Sequence, residues 1–298
     1  MATLRELKTR IGSVSSSEKI TGAMKMISSA KVHKFEQALK QLVPYRAQIS
    51  SIMGHILESG ETFDSPLIED REVQTVALVA FGSDDGLCGA YNMNVFKHLL
   101  SAINNMRQEY GSKIEFVVYP VGKKIRRACE KLAGGGIRVV ELPGVDSKME
   151  GEKVTDFTLQ LQKAFLNGEY DRLACVYTHF LTIGRQRLKL EQLLPVDSAA
   201  LQLTESKDSK RDENKLYIFE PDASSIFNQV LPMFVLSTMQ EITIENRASE
   251  QAARIMAMQA ANDNAKKLLD ELQLEYNKLR QQSITTELLD ILGGQVER

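Results

Sequence analysis

The sequence has few of the residues on which metal sites and disulfide frameworks depend. Its 298 residues include three cysteines, four histidines and no tryptophan. Cys88, Cys129 and Cys175 are widely separated and form no CxxC pair, which argues against zinc and against a disulfide framework. The histidines share no metal-ligand spacing. The sequence therefore predicts reduced, buried thiols, no metal and no cofactor.

Long apolar runs are also missing. Because no stretch of 18 apolar residues occurs, we expect no membrane span. The first residues lack an apolar segment followed by a cleavage site, so we do not expect secretion. The formal net charge of -2 gives no reason to expect a nucleic-acid partner.

The nearly balanced charge hides an asymmetry between the two ends. Residues 1–58 carry nine Lys/Arg against four Asp/Glu, whereas residues 222–298 carry seven against eleven. Opposite net charges suit two helices that lie side by side, and the basic segment also offers a surface to an acidic partner.

The last quarter of the sequence, Asp222 to Leu292, has the composition of one very long helix. It contains no glycine, and Pro232 is its only proline. Steps of four and three define a seam in which nine of eleven residues are apolar, the pattern of a coiled-coil helix. At about 1.5 Å per residue the segment would span roughly 105 Å, so it needs a partner helix and must project from any compact domain. The seam residues are Ile244, Ala248, Gln251, Ile255, Met258, Asn262, Ala265, Leu269, Leu272, Tyr276 and Leu279.

The first 58 residues carry a second seam of this kind. It is apolar from Leu4 to Val14 and again from Val32 to Ile56. We interpret the polar part between them as a local change of supercoil phase. The two seams predict an antiparallel helix pair. The frame residues of the polar part are Glu18, Thr21, Lys25 and Ser28, and the apolar residues one position earlier are Ile20, Met24 and Ile27.

Between the helices the hydrophobic pattern changes to that of a layered α/β domain with a mostly parallel sheet. The predicted fold is α/β: a long antiparallel coiled coil of the N- and C-terminal helices with an inserted Rossmann-like α/β domain. We expect shaft helices at 1–58 and 222–292 and a globular body at 73–220. The predicted strands are 73–81, 114–119, 137–142 and 171–180, with later edge strands at 186–194 and 215–220, and the predicted helices of the body are 92–110, 122–132 and 154–167.

A glycine-rich turn follows the first strand, where a phosphate-binding loop would lie. Gly82, Gly86 and Gly89 do not have the spacing of a dinucleotide fingerprint or of a P-loop, so they predict a tight strand-to-helix turn. Asp84 and Asp85 are expected to cap this turn rather than to act as a catalytic pair. The sequence shows no enzyme signature.

Apolar residues on the long helices are candidates for partner contact. The last turns of the second long helix are strongly apolar, which suggests insertion into a partner's apolar socket. The methionines of the helices serve either core packing or a smooth outer surface, and the sequence does not separate these roles. The apolar tip comprises Ile284, Leu288, Leu289, Ile291 and Leu292, and the methionines are Met24, Met26, Met256 and Met258.

Four strings in this sequence resemble signatures of the gamma subunit of the rotary ATP synthase. They are ASEQAARIMAMQAANDNA (248–265), YNKLRQQSIT (276–285), KITGAMKMISSAK (19–31) and SDDGLCGAYN (83–92). The resemblance covers both helices and the body. The sequence departs from the family pattern at Gly22, where a lysine is usual, and at Asp85, where an arginine is usual.

The resemblance implies a non-catalytic central-stalk rotor without a cofactor, at the cytoplasmic face of a bacterial membrane. Its helices would turn inside the ring of alpha and beta subunits, and its body would bind the epsilon subunit and the membrane-embedded c-ring. A thiol switch of the chloroplast type is not expected, because residues 195–215 contain no cysteine. The implied contacts are Arg254, Gln281, Thr285 and Glu287 with the beta-subunit catch loop, Met24 and Lys25 with its acidic lever, and Tyr217 and Glu220 with the ring.

Two other classes remain open on the sequence. One is a nucleotide-dependent enzyme that uses the α/β body. The other is a coiled-coil adaptor that forms a homodimer through its terminal helices.

Overall fold

Two very long helices dominate the computed structural model, which describes residues 3–58, 63, 65–197 and 219–296. Helix α1 spans Leu4–Glu58 and helix α5 spans Ala223–Val296. They are antiparallel, because Asn262 of α5 contacts Glu18 near the start of α1, whereas Glu241 near the start of α5 pairs with Arg46. The predicted helix pair is confirmed.

Helix α5 begins at a side-chain cap. The carboxylate of Asp222 accepts hydrogen bonds from the backbone N and the Oγ of Ser225, each at 2.7 Å. These bonds lower the pKa of Asp222 and satisfy an otherwise unpaired donor of the first turn. The helix continues through Pro232 and ends at Val296, four residues beyond the predicted end at Leu292.

The seam of α1 keeps its phase, and the interpretation of a local phase change is wrong. Thr21 is half-buried and Ser28 is buried in the seam, whereas Ile20 and Ile27 are 60% and 57% exposed. Small polar side chains fit between the helices here, and Thr21 accepts a hydrogen bond from Asn262. Ile20 and Ile27 therefore point away from α5.

The body between the long helices contains one five-stranded sheet with the order β3-β2-β1-β4-β5. Strands β1 to β4 are parallel, and β5 is an antiparallel edge strand, as the sequence predicts. Strand β3 is shorter than predicted, and the predicted strand at 215–220 lies mostly outside the described residues. The elements are β1 (Thr75–Phe81), α2 (Tyr91–Tyr110), β2 (Glu115–Val121), α3 (Lys123–Cys129), β3 (Ile137–Val139), α4 (Glu152–Leu166), β4 (Arg172–Thr182) and β5 (Arg185–Leu194).

Both faces of the sheet are covered, which explains why β1 is buried along almost its whole length. Alternate residues of β1 belong to two apolar cores, as the two-residue period of a strand requires. Helices α2 and α3 cover one face. Helix α4 and the long helices cover the other, where α5 contributes Phe227, Leu231, Val235 and Met239 at four-residue spacing. This apolar face fixes the base of the shaft to the body.

Candidate functional site

Helix α5 crosses the place where a doubly wound sheet usually binds its ligand. The strand order reverses between β1 and β4, and ligands of such sheets bind outside the carboxyl ends of the strands at that point. Here α5 contacts Gly82, which follows β1, and Thr178 of β4. Polar side chains of α5 from Glu245 to Arg254 make these contacts, and we call this region the joint.

Asn246 is at the centre of the joint and is 1% exposed. Its Nδ2 donates a hydrogen bond to the carbonyl oxygen of Gly82 at 3.2 Å. Its Oδ1 accepts one from the hydroxyl of Tyr91 at 2.6 Å. One turn further along α5, Ser249 donates to the carbonyl oxygen of Thr178 at 2.8 Å. These buried bonds tie α5 to β4, to the loop after β1 and to α2.

A second polar contact of the joint links α5 to β4. The Nδ1 of His179 lies 2.7 Å from both carboxylate oxygens of Glu245. Burial raises the pKa of the Glu245 carboxyl, although its hydrogen bond with His179 acts in the opposite direction. The remaining charged neighbours that influence this carboxyl are Glu241 and Lys189.

Arg254 forms the end of the joint nearest the free part of the shaft. It is 4% exposed, and its Nη2 lies 2.7 Å from an oxygen of Glu250, which is also buried. The guanidinium also donates to the carbonyl oxygen of Gly86 at 3.2 Å. Burial raises the pKa of Glu250, and the charge of Arg254 opposes that shift. A buried ion pair of this kind holds both side chains in place, because neither charge has another partner as close.

The turn after β1 is held rigid on its outer side. The carboxylate of Asp84 accepts hydrogen bonds from the backbone N of Lys123 at 2.9 Å and from the backbone N and Oγ of Ser147 at 3.0 and 2.8 Å. Asp85 forms an ion pair with Lys148 at 2.9 Å, and this pair lowers the pKa of Asp85. Asp84 therefore caps backbone N–H groups at the start of α3 and at Ser147 rather than in its own turn, and Asp85 makes an ion pair on the surface instead of a cap, so the expected capping role holds for Asp84 alone.

Glycine is required at Gly82 for close packing. A Cβ at this position would lie 2.5 Å from the Cβ of Ile125 on α3. The turn is therefore tight, as the glycine spacing predicts, and the side chains of α5 close its inner side.

Beyond the joint, the helix pair projects away from the body as a structure that we call the upper shaft, residues 4–31 of α1 and 255–296 of α5. Ile20, Met26 and Ile27 of α1 and Met256 of α5 are exposed on it, whereas Met258 is buried. The methionines are therefore divided between the seam and the outer surface of the helix pair. Ile20 and Ile27 are seven residues apart and form an outward apolar stripe on α1.

Among the residues that the structure describes, the last turns of α5, from Ile284 to Leu292, have no buried or half-buried side chain. Leu272 is buried, but no side chain between residues 273 and 292 is. The five predicted tip residues, from Ile284 to Leu292, are all exposed. Five large apolar side chains on one exposed helix end are unusual unless a partner covers them.

The structure places the predicted contact residues in different surroundings. Gln281, Thr285 and Glu287 are exposed on the unpaired part of α5, and Met24 and Lys25 are half-buried on α1.

Arg254 differs from these because its guanidinium is buried within the joint. Glu220 is exposed just before α5, and Tyr217 lies outside the described residues. The roles of all these residues in partner contact remain predictions.

Sequence reasoning did not find the joint. Tyr91, His179 and the neighbouring residues Glu245 and Asn246 come from three distant parts of the chain, and only their meeting in space gives them a shared role. The one available signal is the row of polar residues on α5 at 245, 246, 249, 250 and 254, beside the apolar seam. Such a row on a helix face that is otherwise buried indicates hydrogen-bond partners across the contact.

Two kinds of site are not found in the described part of the chain. Within residues 3–58, 65–197 and 219–296, no helix combines the length and the apolar content of a membrane span. Over the same residues, no three His, Cys, Asp or Glu side chains are grouped as metal ligands would be.

An α/β body fixed through a polar joint to a projecting antiparallel helix pair defines the class: a shaft protein with a globular body at its base. A family model described as ATP synthase matches residues 3–296. The ATP synthase gamma chain of Bacteroides fragilis is 40% identical over 298 residues, covering 99% of each chain. That of Bacteroides thetaiotaomicron is 38% identical over 303 residues and covers 100% of both. The chain belongs to the ATP synthase gamma chain family.

Solved structures show the same fold. A chain of the Euglena gracilis mitochondrial ATP synthase matches with a TM-score of 0.62 at 22% identity, covering 98% of this chain and 93% of that one. A chain from the central stalk and c-ring of the Tetrahymena thermophila mitochondrial ATP synthase matches with a TM-score of 0.51 at 22% identity, covering 81% and 99%.

Proposed function

We propose that this chain is the rotor of the central stalk of an ATP synthase. It would couple ion flow through the membrane ring to ATP synthesis and hydrolysis in the hexamer of alpha and beta subunits. The observation that carries this proposal is the unpaired, exposed and apolar end of α5, held at a fixed angle by a buried polar joint. Membership of the gamma chain family supports the same role.

The length of α5 separates two contact regions. Its 74 residues span about 110 Å at 1.5 Å per residue. The apolar tip at one end would enter the alpha and beta hexamer. The region of Glu220 and Tyr217 at the other end would face the membrane-embedded c-ring, with the epsilon subunit against the body. In this arrangement the chain is peripheral to the membrane at its cytoplasmic face, inserts no segment of its own and binds no nucleic acid.

A rigid shaft is needed because single ion crossings supply little energy. One charge moving through 100 mV yields about 2.3 kcal/mol, too little by itself to drive nucleotide release from a tight site. Several crossings must therefore be pooled in one mechanical element before each release. A helix pair anchored by buried hydrogen bonds can store the energy of several crossings as elastic twist and then deliver it. A flexible linker would dissipate that energy.

The shaft also has to present a different surface in each direction. In the upper shaft the stripe of Ile20 and Ile27 lies on α1, whereas α5 carries Met256 and the single-helix tip. Each orientation would therefore favour a different conformation of the surrounding subunits. This is a population shift driven by differential contact, and it needs no reactive group on the shaft. We propose that catalysis takes place in the partners.

The exposed residues of α5 are the best placed for direct contact with the hexamer. Gln281, Thr285 and Glu287 can reach a partner without any rearrangement of this chain. Arg254 already donates to Gly86 and Glu250, so a catch-loop contact by its guanidinium would require it to leave these partners. We propose that Arg254 acts chiefly by holding the turn that faces the hexamer.

The enzyme alternative is disfavoured by the joint. The crevice where a nucleotide would bind is filled by Asn246, Ser249 and Arg254 of α5. Equilibrium binding of ATP and NAD to the full chain tests this point. We expect no binding at micromolar concentrations, and saturable micromolar binding would overturn both this conclusion and the rotor proposal.

The adaptor alternative requires the terminal helices to pair between chains. In the structure α1 and α5 pair within one chain over most of the length of α1. Sedimentation of the full chain should therefore show no stable homodimer held by these helices. A dimer that is lost when the seam residues are changed would favour the adaptor.

Rotation itself can be observed on the reconstituted complex. A probe attached through Lys153→Cys on α4 should be selective, because Cys88, Cys129 and Cys175 are all buried. With the hexamer fixed to a surface and ATP present, the probe should turn in one direction in steps. If the hexamer hydrolyses ATP while the probe shows only undirected motion, the rotor proposal is wrong.

A further inference from the structure

The upper shaft has a buried polar residue near its centre. Asn262 of α5 lies in the seam and is 7% exposed, with Met258 buried on one side of it. Its Nδ2 donates a hydrogen bond to the backbone carbonyl oxygen of Glu18 at 2.7 Å and a longer one to the Oγ1 of Thr21 at 3.3 Å. Both donor hydrogens of the amide group are therefore used on α1.

The surface of α1 is shaped to accept this side chain. The hydroxyl of Thr21 donates to the carbonyl oxygens of Ser17 and Glu18 in its own helix, which leaves an oxygen lone pair directed toward Asn262. Gly22 lies beside it: a Cβ there would be 3.5 Å from the Nδ2 of Asn262, an ordinary van der Waals contact, so only a side chain longer than alanine would reach the amide group. A longer side chain at position 22 would compete for the same space.

Apolar packing does little to align the helices in this stretch. Ile20 and Ile27 point outward, and the seam of α1 presents Thr21 and Ser28 to α5. Apolar contact has no preferred direction, whereas a hydrogen bond requires its donor and acceptor to be aligned. Among the described residues of the upper shaft, the hydrogen bonds between α1 and α5 all come from Asn262.

The acceptor site on α1 is not repeated along the seam. It combines a hydroxyl with a following glycine, Thr21–Gly22. One heptad earlier the corresponding pair is Val14–Ser15, and one heptad later it is Ser28–Ser29. A shift by a heptad in either direction would therefore lose the hydroxyl or the space. A single buried asparagine in a helix seam is known to select one alignment at a cost in stability.

We propose that Asn262 is a positioning residue that locks α1 and α5 in one register where the apolar seam is interrupted. The joint and the body hold the helices together below Val32, and Asn262 holds the alignment of the free part above it. The lock itself rests on the contacts given above. Its consequence, that both helices twist as one unit, rests on the proposed rotor function.

Distance measurements on the full chain test the lock directly. Spin labels are attached at Ser13→Cys and Lys267→Cys, which are exposed on α1 and α5 above Asn262. The chain with Asn262 intact should give one narrow distance distribution by electron–electron double resonance. Asn262→Ala should broaden it and add components at other distances, because a change of register by one heptad moves one helix about 10 Å along the other. An unchanged distribution in Asn262→Ala would overturn the proposal.

Matched variants distinguish a register lock from a general effect on the helix. Asn264→Ala changes an exposed asparagine two positions away and should leave the distribution narrow. Thr21→Val removes one acceptor and should broaden the distribution less than Asn262→Ala does. Asn262→Leu should keep the helix content and thermal midpoint of the intact chain and still broaden the distribution. A narrow distribution in folded Asn262→Leu, or equal broadening in Asn264→Ala, would also count against the lock.

The same variants are then compared for coupling between ATP hydrolysis and ion pumping in the reconstituted complex. Asn262→Leu should lower the number of ions pumped per ATP hydrolysed relative to Asn264→Ala. If the distance distribution broadens while coupling is unchanged, the register lock exists. In that case the upper shaft does not transmit torque between the ring and the hexamer, and the rotor proposal fails. If coupling and distribution are both unchanged, the lock fails.

Discussion

The hydroxyl of Tyr91 donates a hydrogen bond of 2.6 Å to the Oδ1 of Asn246, which lies 155 residues later in the chain. Asn246 in turn donates to the carbonyl oxygen of Gly82. The turn after β1 and the start of α2 therefore meet a remote part of α5 at one buried amide group. This contact replaces the ligand that the crevice of a doubly wound sheet normally holds, and it turns a binding site into a mechanical joint.

Tyr91→Phe should weaken the joint without changing its shape. The ring remains buried, but Oδ1 of Asn246 loses its donor in a site closed to water, which costs about 1–3 kcal/mol. Urea unfolding of the full chain should show this loss in the free energy of unfolding. Tyr45→Phe, at an exposed tyrosine of α1, is the control and should change stability by much less. Equal effects of the two changes would contradict the role given to Tyr91.

The buried pair of Arg254 and Glu250 predicts which of two variants is the more stable. Arg254→Ala leaves the carboxylate of Glu250 buried without its partner and should destabilise the chain by about 3–5 kcal/mol. The double variant Arg254→Met with Glu250→Leu removes both charges at similar volume and should be the more stable of the two variants.

Thermal unfolding and urea titration can rank these variants. If Arg254→Ala is as stable as the unchanged chain, the guanidinium is not held as the structure shows. In that case a direct contact between Arg254 and a partner would be the better explanation of its place in the sequence signature.

The pH dependence of stability should report the burial of Glu245. Its pKa is raised in the folded chain, so between the unfolded value of about 4.3 and the raised value the folded state binds more protons. Its contribution to stability is complete below the unfolded pKa and is lost as the pH rises through the folded pKa. The free energy of unfolding of the unchanged chain minus that of Glu245→Gln should therefore fall as the pH rises across this interval.

Glu150 provides a control of opposite sign. The hydrogen bond from Arg247 lowers the pKa of Glu150, so its contribution is present above the unfolded pKa and is lost as the pH falls through the folded pKa. The same difference for Glu150→Gln should therefore rise with pH. If both stability differences change with pH in the same direction, burial does not control the pKa of Glu245.

The periodic parts of this molecule could be predicted from the sequence and the joint could not. Steps of four and three locate both long helices because each residue of a seam faces the same partner. The same reasoning failed at Ile20 and Ile27, where the apolar residues point outward and the small polar residues face α5. Periodicity assumes that apolar side chains mark the inner face, and the exposed Ile20 and Ile27 violate that assumption.

The family prediction is confirmed by the comparisons, whereas the contacts of Asn246 and Glu245 depend on chain segments brought together only by folding. A polar residue in a long helix gives no sign in the sequence of which carbonyl or ring it will meet. The edge strand at 185–194 was predictable because its alternation is local. The position of Arg254 was not, because its partners include the backbone of a turn 168 residues earlier.

The outward stripe of α1 should matter for the complex and not for the fold. Ile20→Ser combined with Ile27→Ser changes exposed side chains and should leave the thermal midpoint of the full chain nearly unchanged. In the reconstituted complex the same variant should bind the hexamer more weakly and couple less well. The control is Leu159→Ser with Leu166→Ser, two exposed leucines of α4 at the same seven-residue spacing. Loss of fold in the α1 variant alone would place the stripe in an internal contact.

The apolar tip should act in the same way but more strongly, because every side chain from Ile284 to Leu292 is exposed in the structure. Leu288→Ser combined with Leu292→Ser should leave the circular dichroism of the chain unchanged. If a partner socket covers both leucines, each contributes about 1.5–3 kcal/mol of apolar burial, so the variant should bind the alpha and beta hexamer at least tenfold more weakly, judged by titration of the full chain.

Asp290→Ser, at an exposed charge between these leucines, should bind within about threefold of the unchanged chain, a difference below 1 kcal/mol. ATP synthesis by the reconstituted complex should fall with binding in the leucine variant and not in the aspartate variant. If both variants bind and couple normally, the tip does not enter a socket, and the contacts that hold the shaft must lie lower, at Gln281 or on α1. If the leucine variant instead loses helix content throughout the body, the tip serves folding rather than assembly.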